Sequence, residues 1–121
     1  MTTSNSRESQ FPIEAMFLDR WSPRAFTGET ISEEQILTIL DAAHWAPSSA
    51  NQQPWRFIYA LKGSEHFETA LGLLAEANQE WAKNASALLF VVSRGFSGDF
   101  SEGKKSYTHS FDAGAAWGHF A

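Results

Sequence analysis

Four stretches of this chain arrange apolar and polar residues with a readable period. After Ser32, "EEQILTILDAAHWA" puts Ile36, Leu37, Ile39, Leu40 and Ala43 on one face at helical spacing. Ser32 and Gln35 form a capping-box pattern, Glu33 and Glu34 charge the first turn, and Pro47 closes the run. "WRFIYAL", residues 55–61, is aromatic and β-branched over a strand's length and predicts a buried strand. In residues 64–83 the apolar positions Phe67, Ala70, Leu71, Leu74 and Ala75 recur at helical spacing and predict one long helix. "ASALLFVVS", residues 85–93, is nearly continuous apolar sequence, the pattern of a central strand covered on both faces.

Weaker signals fill the remainder. "FPIEAMFLD", residues 11–19, suits a short helix beginning just after Pro12, and the polar residues 1–10 read as a flexible tail. "RGFSGDFSEGKKSYT", residues 94–108, has the glycines and mixed charges of a mobile loop. "HSFDAGAAWGHFA" then begins a helix whose Asp112 caps or charges its N-terminus and whose Ala113, Gly114, Ala115 and Ala116 permit close packing. Two strands separated by a helix fit a right-handed crossover. A two-stranded sheet is a poor core, so further partners are expected from this chain or a second one. The last segment is still apolar at Ala121, and the chain reads as cut. With 121 residues there is room for one domain.

Composition narrows the chemistry. A net charge of -5 argues against binding a nucleic-acid backbone, which needs a basic face. The chain has no cysteine, so thiolate nucleophiles and zinc-thiolate sites are ruled out. No window approaches the ~20 apolar residues of a membrane span, and the expectation is a soluble cytoplasmic protein. The histidines His44, His66, His109 and His119 show no HExxH pairing, and no serine sits in a GxSxG elbow. "GDFSEGKK", residues 98–105, matches a phosphate-binding loop only as far as its first lysine; Lys105 stands where a magnesium-binding Ser or Thr belongs, and Asp99 and Glu102 would repel phosphate.

Two constellations remain. In "RWSPRAF", residues 20–26, Pro23 pushes Ser22 away from helical geometry. Extension gives period two, so Arg20, Ser22 and Arg24 would offer two guanidinium forks and a hydroxyl to one anion, the natural choice being a phosphate. The alternative is a pair of solvated arginines matched with Asp19 or Glu29. "PSSANQQPW", residues 47–55, gathers Ser48, Ser49, Asn51, Gln52 and Gln53 between two prolines without a charge. Such groups both donate and accept, which suits a planar heterocycle better than a metal. An ordinary polar loop after a helix is the alternative.

"RWSPRAF", "ILDAAHWAPSSANQQPWRFIYAL" and "ANQEWAKNASALLFVVS", in this order, resemble the nitroreductase family of FMN-dependent oxidoreductases. The resemblance implies an α+β fold, a nitroreductase-like sheet covered by helices and incomplete in this chain, running from about residue 12 to the last. It implies FMN as cofactor, with Arg20, Ser22 and Arg24 as the N-terminal flavin contacts and Arg20 directed at the phosphate. It implies that Pro47, Ser48, Ser49, Asn51 and Gln53 line the flavin from the partner subunit of a homodimer, and that Asn78 faces its polar edge. The family's chemistry is hydride transfer from NAD(P)H to flavin and on to a small acceptor such as a nitroaromatic or quinone. Such a cofactor carries the redox chemistry itself, so the protein need only bind, orient and tune it. The contrasting readings are a catalytically silent, oligomerising relative and an anion-binding module built on Arg20 to Arg24 alone.

Overall fold

The computed structural model describes residues 6–97 and 103–121. Helix α1 (Ala15–Asp19) is a short, mostly exposed turn of helix that begins two residues later than the sequence predicts, with no side-chain cap at Glu14. Helix α2 (Glu33–His44) follows the capping box as read: Ser32 Oγ accepts from the Gln35 amide at 3.2 Å, and Gln35 Oε1 accepts from the Ser32 amide at 2.8 Å. Two otherwise orphaned amides are satisfied at once, which fixes where the helix starts.

Strands β1 (Trp55–Leu61) and β2 (Ala87–Ser93) pair antiparallel, with Trp55 opposite Ser93 and Leu61 opposite Ala87. The expected crossover is therefore wrong, and the cause lies in the segment between them. The single predicted helix is broken into α3 (Phe67–Gly72) and α4 (Glu76–Ala82), with Ala75 extended at φ -57, ψ 142. Gly72 is a weak helix former, and the Leu74 carbonyl freed at the break accepts from Gln79 Nε2 at 2.8 Å. An unbroken helix over residues 64–83 would run about 30 Å and deliver the chain to the far end of the sheet. Two short helices folded back on each other return it to the same end, where the Lys62 amide bonds the Ser86 carbonyl at 2.9 Å.

Side chains alternate across this sheet and give each face its own helical layer. On one face Trp55, Phe57 and Val91 meet Ala43 and Ala46 from the end of α2 and Ala113 and Ala116 from α5 (His109–Phe120). Ala43 and Ala116 are fully buried, and their methyl groups let the two helices approach closely. Phe57 and Phe120 close this layer edge to face, centroids 5.8 Å apart. On the other face Ala60 and Leu88 pack with Phe67 and Ala70 of α3 and Ala82 of α4. That second layer covers only part of its face: Ile58 and Val92 stay exposed. β2 is thus not the doubly covered central strand its apolar run predicts, because α3 and α4 are too short to reach its far end. Phe96–Ser97 (β3) and Lys104–Lys105 (β4) form a small antiparallel ribbon where a loop is predicted, and residues 98–102 of the phosphate-loop match lie outside the described residues. Of the predicted tail, Arg7 is docked, donating to the carbonyls of Arg20 (2.7 Å) and Leu18 (3.3 Å).

Candidate functional site

The connection from α2 to β1 is built on backbone that few sequences adopt. Ala50, Asn51 and Gln53 all have positive φ, at 49, 53 and 45 degrees. Each non-glycine residue in this region costs roughly 1–2 kcal/mol, so the loop holds its shape only because its surroundings impose it. Hydrogen bonds within and around the loop do this, among them the Gln52 amide to the Ser49 carbonyl at 3.1 Å. The Asn51 amide bonds the Ser48 carbonyl at 3.1 Å, and Ser48 Oγ accepts from the Gln53 amide at 3.0 Å. Arg56 Nη1 donates to the Gln53 carbonyl at 3.2 Å. Asp112 Oδ2, from the first turn of α5, accepts from the Ser49 amide at 3.2 Å and from Thr108 Oγ1 at 3.0 Å. Pro54, fully buried, and Trp55 then anchor the loop's exit in the core.

This arrangement leaves the polar groups outward. Pro47, Ser49 and Asn51 are exposed, and Ser48 and Gln53 are half-buried. Beside them opens a cleft of about 480 Å³ lined by Leu40, His44, Gln52, Gln53, Trp55, Arg56 and Phe57. Its size falls within the range of small-molecule sites, with an aromatic wall and a polar rim.

The arginine segment is held differently. Arg20 is the extended residue that ends α1, at φ -62, ψ 129, and the backbone bends at Arg24. Arg20, Ser22 and Arg24 are all exposed. Among the described residues the ion pairs are Glu65 with His66 and Glu80 with Lys83, so the pairing of these arginines with Asp19 or Glu29 weighed from sequence is not made. Downstream, Phe26 stacks on Trp81 of α4, centroids 6.0 Å apart, and Ser86 Oγ donates to the Glu29 carbonyl. Asn78 is exposed on α4, one turn before Trp81, which associates it with the arginine segment's exit. Of the predicted site residues the cleft lining takes only Gln53, joined by its neighbour Gln52; Pro47, Ser48, Ser49 and Asn51 sit in the adjoining loop, and Arg20, Ser22, Arg24 and Asn78 also lie outside the lining.

Two contributors escaped the sequence reading. Asp112 was expected to serve its own helix, yet its partner Ser49 is 63 positions away. Arg56 reads only as part of a strand, and no sequence pattern marks its bond to the Gln53 carbonyl three positions before it. The strain at Ala50 and Gln53 left no trace either, since neither residue type favours positive φ; Asn51 alone carried that signal.

Comparison with known proteins adds an independent line. The nitroreductase family model matches residues 18–94. Nitrobenzene nitroreductase of Ectopseudomonas oleovorans is 39% identical over 59 residues, which are 48% of this chain and 26% of that protein. The 5,6-dimethylbenzimidazole synthase of Rhodospirillum rubrum is 38% identical over 52 residues, 43% of this chain and 25% of that one. The crystal structure of an oxidoreductase containing FMN superposes with a TM-score of 0.92 at 60% identity, covering 100% of this chain and 62% of that chain. This chain therefore spans about a quarter of those two curated relatives in matched sequence and under two thirds of the solved one. The matched residues include the arginine segment, the strained loop and both long strands, and the chain belongs to the nitroreductase family.

Proposed function

We propose that this chain is the flavin-binding portion of an FMN-dependent oxidoreductase that draws electrons from NAD(P)H and delivers them to a nitroaromatic, quinone or similar small acceptor. The observation that carries the reading is the loop of residues 48–53, which presents neutral donors and acceptors from a backbone that several hydrogen bonds hold in place. The FMN-containing neighbour of the same fold supports the choice of cofactor.

The donor set suits FMN. Ser48, Ser49, Asn51 and Gln53 match the alternating carbonyl and ring-nitrogen edge of a flavin, and Pro47 stiffens the entry to that wall. Arg20 supplies a planar fork for the phosphate, with Arg24 and the Ser22 hydroxyl adding a second charge and a donor. Asn78 offers an amide toward the ring's polar edge from α4. The bound flavin supplies the hydride chemistry, so the side chains act by orienting it and excluding water. A homodimer with flavin at the interface is supported by the apolar surface of α5 and its surroundings, where Phe111 is 81% exposed and Trp45 76%.

The test is a titration of purified protein with FMN, followed by flavin fluorescence and the visible spectrum, with light scattering in parallel. Saturable binding, and bleaching of the flavin bands by NADH or NADPH, are expected. Protein that neither carries nor takes up FMN would overturn the reading for this chain.

A further inference from the structure

We infer that Asp112 is a positioning residue that locks the loop of residues 48–53 in its left-handed shape, and so couples helix α5 to the cofactor wall. The locking itself stands on the geometry; its effect on FMN rests on the function proposed above.

Asp112 is 4% exposed, and apart from Ser106 it is the one buried polar or charged side chain among the described residues. Both groups that meet its Oδ2 are donors: the Ser49 amide, in the loop, and Thr108 Oγ1, in the cap of its own helix. A buried carboxylate has to find donors, and here one of them is the amide that opens the left-handed stretch. The neighbouring positions make the link rigid. Ala113 and Ala116 pack against Ala43 and Ala46, the residues from which the loop emerges. The loop is thereby gripped from α2 through the chain and from α5 through Asp112, and a shift of α5 cannot leave residues 48–53 where they are. Without the Ser49 contact, the loop keeps its local bonds from Ser48, Ser49 and Arg56 but loses its hydrogen bond to α5.

Amide hydrogen exchange on the full chain, without flavin, tests this directly. Asp112→Ala is expected to speed exchange at Ser49 and Asn51 by about tenfold, the loss of one buried hydrogen bond, with β1 and β2 amides unchanged. Asp112→Asn keeps an oxygen acceptor at the same place and is expected to restore most of the protection. Thr108→Val, which removes the second donor and leaves the fold's apolar contacts intact, is expected to loosen the same amides to a smaller degree and serves if Asp112→Ala does not fold. Wild-type exchange at Ser49 in Asp112→Ala, or in Thr108→Val should the alanine variant not fold, would overturn the inference. So would a rise spread evenly over the sheet and α5. In a parallel FMN titration, Asp112→Ala is expected to weaken binding about tenfold and Asp112→Asn much less. If wild-type protein takes up no FMN, the functional reading fails while the exchange result still decides the role of Asp112.

Discussion

The two segments proposed to meet the cofactor are built on opposite principles. Residues 48–53 are short, strained and fastened by bonds from three directions, while residues 20–26 run across the surface with their guanidiniums free of ion pairs among the described residues. The contrast follows the ligand chemistry each would serve. Neutral hydrogen bonds are weak and directional, so they contribute to binding only when their donors are fixed beforehand. A guanidinium attracts an anion over distance and tolerates a mobile stem, because charge falls off slowly and the planar fork completes the geometry on contact. Rigidity is concentrated where direction matters.

The comparison can be broken most forcefully at its anchors. Trp55 is 5% exposed at the exit of the rigid loop, and Trp21 is 61% exposed within the arginine segment. Trp55→Ala is expected to cost about 3–5 kcal/mol in denaturant unfolding, and Trp21→Ala within about 0.5 kcal/mol of nothing. At the level of binding, Arg20→Ala is expected to weaken FMN affinity by about 1.5–3 kcal/mol by fluorescence titration, with the difference from wild type shrinking as salt rises. Equal losses at high and low salt would show that Arg20 acts through packing. A smaller effect sharpens the strain argument: Ala50→Gly removes the Cβ that opposes φ 49 and is expected to be neutral or to stabilise by up to about 1 kcal/mol, despite glycine's extra freedom when unfolded. Measurable destabilisation would mean that the alanine methyl matters more than the backbone shape.

The smallest effect lies at the other end of α2. Tyr59 donates to Glu33 Oε1 at 2.6 Å, and this hydrogen bond, then desolvation and the nearby negative charge, raise the phenol above its ordinary pKa of 10.0. The folded state therefore binds the phenolic proton more tightly than the unfolded state. The resulting stabilisation is fully present below pH 10.0 and is lost as pH rises through the folded value. Ultraviolet titration should show one tyrosine ionising later than a free phenol, and Tyr59→Phe should remove that late step.

What could be read in the sequence was what depends on neighbours in the chain. The start of α2 was legible because Ser32 and Gln35 satisfy each other within one turn. The extents of β1 and β2 were legible from composition, and the three family motifs carried the fold. The direction of strand pairing was not, because it turns on the break near Ala75, where apolar periodicity continues unbroken across the gap. The candidate site divides the same way. Ser48, Ser49, Asn51 and Gln53 stood out as a chargeless polar run, while the Asp112 bond to Ser49, from 63 positions away, belongs to tertiary structure.

The burial of Ala43 and Ala116 in one cluster between α2 and α5 has a consequence for how this protein can vary. With both residues at 0% exposure, neither has solvent-accessible room for a larger side chain. A valine or leucine at either position would act as a shim, widening the gap by prying α5 away and carrying Asp112 with it. Overpacking this contact is expected to cost about 1–3 kcal/mol and to disturb the Ser49–Asp112 bond at the same time, so helix spacing and loop shape can only drift together.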